Sequence, residues 1–557
     1  MKMNNIKRNL IKIYPAILLA GIFLFVGFNL KNDDDIYKKI NRNMELFGQV
    51  YREIALNYVD EIDADKFMTA GIEGMLATLD PYTNYVDEDS RDQLDLITTG
   101  KYGGIGITVN IRDSMVVISE VMNGYEAQKK GLRVGDIFLE IDGVRLEKDE
   151  VKNMKSFVRG PIGSEVNIKI KRDDDIIDFT LLRQEIILKN VSYFGYLGPE
   201  SDGIGYIKLD RFTNISESEV ENAIKTLKSE RELKGLVIDL RDNLGGLLDA
   251  AIGILNKIVE KNSLLVITKG KREDSEKKYF SKYEPMISAE IPVAVIINSK
   301  SASASEIVAG GIQDLDRGVI VGNKSFGKGL VQQIRDLDKN AQMKITTSRY
   351  YTPSGRWIQQ KNYFKENKYG VFIDDAKYNQ TDFKTLGGRT VTAYGGISPD
   401  VEVTVEPESE IHFALMAKDM YFKFADDYLK KNPGLTTIYP DEAFFLQFRD
   451  FLTEQEFSYT SGIEKKIKEI EELASEKKYG TEMTDLLDKV KSEAEKEEET
   501  ELELAKNEII LKITDEINKR IITEEEQIKA ALTYDKQVIE AMKILEDPVL
   551  YRSLLVK

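Results

Sequence analysis

The chain of 557 residues has no cysteine, one histidine and one tryptophan. Without cysteine there are no disulfides, no thiolate metal ligands and no cysteine nucleophile, whatever the redox compartment. With His412 as the single imidazole, most zinc designs are excluded, and any Ser-His-Asp arrangement would depend on that one residue. His412 lies in EIHFALMAKDM, where apolar residues recur at helical spacing, so it reads as a packed or half-exposed helix residue. A catalytic base, if the chain has one, is not expected to be imidazole. An excess of positive charge is missing too: 78 Lys and Arg stand against 95 Asp and Glu, a formal charge of −17. Such a chain repels phosphate backbones, so no nucleic-acid partner is expected. No internal repeat stands out.

What is present points to a folded protein of several domains. Hydrophobic residues make up 42% and charged residues 31%, enough to bury cores and stay in solution. Lys2, Lys7, Arg8 and Lys12 precede an uncharged stretch, 13–30, that is followed by three aspartates at 33–35. The stretch is close to the ~20 residues of a spanning helix, with its basic flank on the side that stays cytoplasmic. No small-x-small cleavage site stands near its end, which favours an uncleaved signal anchor in 1–35 over a removed signal peptide. Either way the remainder is expected in the cell envelope, on the periplasmic side of the inner membrane.

Residues 36–97 suggest a small helical domain, with Leu46, Val50, Ile54, Tyr58, Phe67, Ile72, Met75 and Leu79 at helical spacing and a break at LDPYTNY. From 98 to 185, short β-like runs such as MVVISEV, DIFLEIDG and EVNIKIKR alternate with Gly and Asp turns. From 186 to 405, strands such as GLVIDL, PVAVIIN and GVIVG alternate with helical segments such as SASEIVAGGIQDL. The last region, 406–557, is helical and charged, and between 464 and 529 Glu and Lys dominate, as on solvated helix faces. Long charged helices are compatible with a homo-oligomer, but no sustained heptad seam compels one. The expected fold is a multi-domain α/β protein: an α/β core, an adjacent β module, and helical regions at both ends.

In YGGIGITV, Gly104, Ile105, Gly106 and Ile107 alternate directly before a strand. Glycines let successive backbone N–H groups converge on one point while the isoleucines line an apolar pocket, a geometry suited to a free carboxylate with a hydrophobic last side chain. Downstream, AQKKGLRVGDIFLEIDGV fits a short helix ending at glycine, a Gly-Asp turn, and a strand running into an Asp-Gly hairpin. The stretch resembles a PDZ domain of the type found in processing proteases. It departs in having Gly124-Tyr125-Glu126-Ala127 where those show a small-Pro-Ala turn. The resemblance implies that a protein substrate's C-terminal tail adds as a β-strand, with Ile105, Gly106 and Ile107 as backbone donors.

The chemistry concentrates in PVAVIINSKSASASEIVAGGIQDLDRGVIVGNKSFGKGLVQQ. A buried strand leads through small residues into a helix starting near Ser303. Ser303 followed by Glu306 is a capping-box signature, and taken alone a cap explains both residues. A serine at a strand-to-helix turn also sits at the positive helix end, where the N–H of Ala304 can stabilise an oxyanion. Lys328, flanked by Gly327 and Gly329, follows the next strand, and in an extended chain its even separation from Gln332 puts both side chains on one face. A lysine of ordinary pKa, ~10.4, is neutral in only roughly four molecules per ten thousand at pH 7. Burial beside Phe326 and Leu330 would lower that value, and the uncharged Gln332 could orient the amine.

SASASEI, QDLDRGVIVGNKSFGKGLVQ, TTSRYYTPSGRWIQ and GGISPDV together resemble the core of the carboxyl-terminal processing peptidases, or tail-specific proteases. Lys328 follows Ser303 by 25 residues and Gln332 follows Lys328 by four, as in that family's Ser-Lys-Gln arrangement. The likeness runs from about Tyr51 to Val405. It implies a serine endopeptidase with Ser303 as nucleophile, Lys328 as general base and an acyl-enzyme intermediate, needing no metal or other cofactor. LVIDLRDNLGGLLDAA resembles the family's oxyanion turn, with Gly245 and Gly246 as candidates beside Ala304 and with Leu244 where the family has proline. An insertion at about 361–394 is similar to those of Bacteroidetes-like members. The rival expectation is a catalytically idle PDZ scaffold of the cell envelope.

Overall fold

A computed structural model of the protein describes residues 36–87, 96–112, 115–146, 157–172, 174–199, 202–338, 341–360, 382–404, 408–438, 440–477 and 479–556. The expected signal segment, 1–35, and the part of the insertion at 361–381 lie outside the described residues. Among the described residues no helix is long and apolar enough to cross a membrane. The described residues divide into two compact units, 36–85 and 86–556.

The first unit contains helix α1 (36–57) and helix α2 (Ala64–Leu76). The Asp63 carboxylate accepts the N–H groups of Asp65 and Lys66, satisfying two donors that the first turn of α2 leaves open. Tyr51 of α1 stacks on Phe67 of α2 at 5.7 Å, and its hydroxyl donates to the Ala64 carbonyl.

The second unit begins with the β module. It comprises strands β1 (Lys101–Gly104), β2 (Ile107–Arg112), β3 (Met115–Val121), β4 (Ile137–Ile141), β5 (Val144–Arg145), β6 (Glu165–Arg172), β7 (Asp175–Leu182) and β8 (Gln184–Ile187), with helix α3 (Glu126–Lys130) between β3 and β4. The main sheet runs β2-β3-β4-β6-β7, with β5 paired to β4, so β2 is an outer strand. Strand β1 pairs antiparallel with β8 and ties the start of the module to its end. The turn residues behave as their sequence implies. Helix α3 stops at Gly131 with φ 86°, and Asp142 and Gly143, at φ 45° and 81°, form the two-residue turn between β4 and β5. Alternate residues Ile168, Ile170, Val116 and Ile118 build one apolar core.

The α/β core follows: β9 (Val191–Leu197), β10 (Ile204–Leu209), α4 (Ser216–Glu230), β11 (Gly235–Asp239), α5 (Leu248–Ile258), β12 (Leu264–Gly270), β13 (Lys277–Phe280), β14 (Val293–Ile297), α6 (Ala304–Asp314), β15 (Val319–Gly322), β16 (Leu330–Asp338), β17 (Ala341–Tyr351) and β18 (Val401–Glu402). The central sheet runs β9-β10-β11-β14-β15-β18, parallel except for β9. Strands buried on both faces need apolar side chains at every position. Val293, Val295 and Ile297 of β14 face α4, α5 and α6, whereas Ala294 and Ile296 face helices from the end of the chain. A second, antiparallel sheet joins β13 to β12, β12 to β17 and β17 to β16.

Beyond 408 come α7 (Glu410–Ala417), α8 (Met420–Lys431), α9 (Glu442–Glu454), α10 (Gly462–Glu476), α11 (Thr481–Leu504), α12 (Lys506–Ile521), α13 (Glu524–Leu532), α14 (Lys536–Glu546) and α15 (Pro548–Leu555). Helices α7, α8, α9 and α12 enclose Phe424, Phe444, Phe448 and Ile513 in a core of their own. The final helices leave it: Val538, Ala541, Ile544 and Leu545 of α14 pack on the central sheet against Val237, Ala294 and Val319. The region read from its sequence as helical and charged thus ends by covering the second face of the α/β core.

Candidate active site

Strand β14 carries the chain into the core, and residues 298–302 turn it sharply into α6. At the turn Ser303 has φ 55° and ψ −110°, a backbone state that a residue with a Cβ rarely adopts. Locally, the Ser303 N–H is held by the Glu306 side chain of the capping box. More distant groups hold its neighbours: the N–H of Ala302 and the hydroxyl of Ser305 both donate to the Asn243 carbonyl, at 3.0 and 2.9 Å. The Ser301 hydroxyl donates to Leu240 and the buried Tyr350 hydroxyl donates to the Ser303 carbonyl. The residues on either side of Ser303 are buried, while Ser303 itself is half-exposed. Such a sharp strand-to-helix turn lifts a serine side chain out of its surroundings.

Glu306 is more than the cap its spacing suggests. It is fully buried, and four donors meet its carboxylate: the Ser325 hydroxyl (2.5 Å) and Gly327 N–H (2.6 Å) on Oε1, and the N–H groups of Ser303 (2.8 Å) and Lys328 (2.9 Å) on Oε2. Burial pushes its carboxyl above the usual range, and these hydrogen bonds pull it back only in part. One carboxylate therefore holds the serine turn and the lysine loop together.

Lys328 lies in the loop between β15 and β16. Gly327 has φ 86°, and a Cβ there would meet the Gln360 Cβ at 2.6 Å, so the position requires glycine. Gly329 donates to Gln359 Oε1, and its carbonyl accepts from Trp357 Nε1 and Tyr350 N. Lys328 precedes β16, and a register shift falls between Val331 and Gln332, so the two residues do not lie on one regular strand. Gln332 donates through Nε2 to Thr346 Oγ1 on β17, at 3.1 Å. Leu330 is buried, Phe326 is 43% exposed, and Lys328 itself is half-buried.

The turn after β11 lies against the serine. A Cβ added to Gly245, at φ 93°, would stand 2.9 Å from both the Ser303 Cβ and the Ala304 nitrogen. The Gly245 N–H donates to Asn243 Oδ1, whereas the Gly246 N–H has no partner among the described residues. Leu244, in place of the family's proline, is 71% exposed. Rigidity comes from the fully buried Asn243, whose Nδ2 donates to the Leu209 carbonyl. Asp239 ends β11 wholly buried, bridged by Arg241 and accepting from the Tyr206 hydroxyl at 2.7 Å. Burial opposes ionisation of Asp239, but the Arg241 guanidinium outweighs it, with help from Lys208 and the Tyr206 hydrogen bond, and holds the carboxyl at about 2. Sequence reasoning passed over Asp239, Arg241, Asn243 and the wider role of Glu306. A charged pair closing the apolar run GLVIDLR was the available signal.

In the β module, Gly106 has φ 83° and Tyr125 packs against it so closely that a Cβ there would lie 2.4 Å from the Tyr125 Cβ. The Tyr125 hydroxyl accepts from the Ile187 N–H, fixing the departure from the small-Pro-Ala pattern onto β8. Ile105 is only 1% exposed and belongs to the module's core, while Gly104, Ile105, Gly106 and Ile107 border a cleft of about 1920 Å³ that runs along β2. Its opposite wall includes Phe422 of α8, Arg520 of α12 and Glu524 of α13.

His412 sits apart, in the core of the terminal helices, 1% exposed with Nδ1 3.0 Å from the Tyr421 hydroxyl. Glu408, His412 and Glu508 bring ligating atoms within 4.8 Å of one another, but the Lys512 ammonium already supplies Glu408 with a counter-charge at 2.6 Å.

The family models that match the chain agree in order with this architecture: the Activating protease CtpB N-terminal domain over 28–90, a PDZ domain over 103–182, Peptidase family S41 over 203–368, and the C-terminal helical domain of a probable PDZ-protease over 411–545. The chain belongs to the carboxyl-terminal processing peptidases of family S41, serine proteases with a PDZ domain. It is 35% identical over 353 residues to the carboxy-terminal-processing protease of Bartonella bacilliformis, covering 61% of this chain and 79% of that one. It is 29% identical to a probable CtpA-like serine protease of Staphylococcus aureus, covering 65% and 72%. Among solved structures, the photosystem II D1 C-terminal processing protease is similar at 24% identity, covering 65% of this chain and 94% of that one with a TM-score of 0.36.

Proposed function

We propose that the protein is an extracytoplasmic serine endopeptidase that cleaves proteins near their C-termini through a Ser303–Lys328 dyad. The observation that carries this reading is the shared carboxylate: Ser303, on a strained turn, and Lys328, in a glycine-held loop, are both anchored by Glu306 Oε2. In the reaction, neutral Lys328 takes the proton of the Ser303 hydroxyl as its oxygen attacks the scissile carbonyl. The N–H groups of Ala304 and of Gly245 or Gly246 stabilise the oxyanion; Gly246 is the better candidate, because Asn243 already occupies the Gly245 N–H. The lysine then protonates the leaving amine, and water activated by the same lysine releases the acyl group. Gln332, held at its Nε2 by Thr346, offers its carbonyl oxygen to orient the amine.

The substrate's free C-terminal tail adds to the outer strand β2, with its carboxylate at the 104–107 loop. The basic-flanked hydrophobic segment in 1–35 holds the enzyme in the cell envelope, on the periplasmic side of the inner membrane. The decisive test incubates a protein ending in apolar residues with the intact enzyme, Ser303→Ala and Lys328→Ala. Loss of at least a thousand-fold in turnover in both variants is expected; equal turnover by all three would sink the dyad and leave the scaffold reading.

A further inference from the structure

Asp535 and Gln537 open the second-to-last helix, more than two hundred residues beyond the catalytic segment, yet both reach the loops that carry it. Asp535 caps α14, its Oδ1 accepting the N–H groups of Gln537 and Val538 at 2.9 and 3.1 Å. Its other oxygen, Oδ2, pairs with Arg241 Nη1 at 2.6 Å. Gln537 is 3% exposed, and both ends of its amide are used: Oε1 accepts from Arg241 Nη1 at 3.1 Å, and Nε2 donates to Asn323 Oδ1 at 2.8 Å.

The two partners occupy equivalent places in the fold. Arg241 follows the C-terminal end of β11 and leads into Asn243, Leu244, Gly245 and Gly246. Asn323 follows the C-terminal end of β15 and leads into the loop of Lys328. These strands are not neighbours in the sheet, because β14 lies between them, and no ladder hydrogen bond ties their ends. The Gln537 amide spans the gap. Its placement is itself fixed, since α14 is anchored on the sheet through Val538, Ala541 and Ile544.

We infer that Gln537 and Asp535 are positioning residues of the peptidase: a brace from the C-terminal helices that sets the oxyanion turn and the Lys328 loop at a fixed separation. Glu306 joins serine turn to lysine loop from within; the brace joins oxyanion turn to lysine loop from the opposite face of the sheet. A buried amide with both ends bonded is stiff, because any shift of either loop leaves a buried polar group unpaired. The C-terminal helical region therefore contributes to catalytic geometry as well as to folding. This inference rests on the reading that Lys328 and the 245–246 turn belong to the catalytic centre.

The test uses the full chain with Gln537→Met, which keeps the volume and removes both hydrogen bonds, and Asp535→Asn, which keeps the helix cap and removes the charge opposite Arg241. Turnover and KM for a tail-bearing peptide, the rate of Ser303 labelling by a fluorophosphonate, and Tm are measured for each. At least a ten-fold fall in kcat and in labelling rate, with KM within two-fold and Tm within a few degrees, is expected for Gln537→Met, and a smaller fall of the same pattern for Asp535→Asn. If Gln537→Met does not fold, Asp535→Asn carries the same expectation alone. Unchanged kcat, or a fall that only matches a reduced fraction of labelable sites, overturns the brace. Ser303→Ala run alongside separates the two ideas: labelling that survives it refutes the serine reading, whereas its loss with unaffected brace variants refutes only the brace.

Discussion

The backbone N–H groups of Ser303 and Lys328 converge on one oxygen, Glu306 Oε2, at 2.8 and 2.9 Å. Two segments that the chain separates by a whole helix and strand are thereby held to a single atom. The carboxylate acts on backbone, so it fixes where the side chains start and leaves them free to react.

Glu306→Gln should be severe although it is nearly isosteric. An amide has one accepting oxygen, and its NH2 group would face N–H donors, leaving buried groups unpaired at about 1–3 kcal/mol each. Turnover is expected to fall at least a hundred-fold with a clear loss in Tm. Because burial raises the Glu306 carboxyl, its protonated form is favoured by folding. Its contribution is complete below the unfolded value of ~4.3 and is lost as pH climbs through the raised value. The stability of the intact protein relative to Glu306→Gln should therefore decline as pH rises from ~4; a flat or rising difference in denaturant melts would contradict this.

Asp239 predicts the opposite slope. Its folded value, about 2, lies below the unfolded ~3.9, so its contribution is present above ~3.9 and lost as pH falls through about 2. At neutral pH this amounts to roughly 2–3 kcal/mol. Asp239→Asn removes the fully buried one of the two carboxylates that pair with Arg241, leaving Asp535, and should cost about 2–3 kcal/mol and flatten the acid side of the stability profile. Thermal melts between pH 2 and 7 check both.

Gly245→Ala and Gly106→Ala should separate the two sites. Added carbon at Gly245 would meet the Ala302 carbonyl at 2.5 Å, and at Gly106 the Tyr125 Cβ at 2.4 Å, each at a positive φ. The first is expected to lower kcat at least a hundred-fold with KM little changed. The second should raise KM for a tailed substrate at least ten-fold and spare cleavage of a tailless peptide. The reverse assignment of kcat and KM would show that the sites have been confused.

Amidating the substrate's terminal carboxylate removes the group that the 104–107 loop is read to hold. A fall in kcat/KM of at least ten-fold is expected, carried by KM. Cleavage that is unaffected would mean that the PDZ domain gates the enzyme or does something else, and does not tether the tail.

Much of this was legible in the sequence because it is local. Glycine at 131 and 143, the fully apolar run Val293–Ile297 and the serine at its helix entry announce their conformations through sterics and burial pattern alone. The parity argument for Lys328 and Gln332 assumed a regular strand through both residues, but where β16 begins, and where its ladder with β17 shifts register, depends on the partner strand. Glu306 was read as a cap since its nearest signal is Ser303, three residues away; its contacts with Ser325, Gly327 and Lys328 exist only once β15 has crossed beside β14.

By itself, then, the sequence determined the element types, the order of domains, and the serine and lysine at their family spacing. Tertiary structure decided what surrounds them: the carboxylate shared by Ser303 and Lys328, the buried Asp239–Arg241 pair, and the return of Asp535 and Gln537 to the sheet. Local conformation follows from each residue's own sterics and periodicity, whereas convergence on a buried charge depends on long-range packing, which no pattern along the chain encodes.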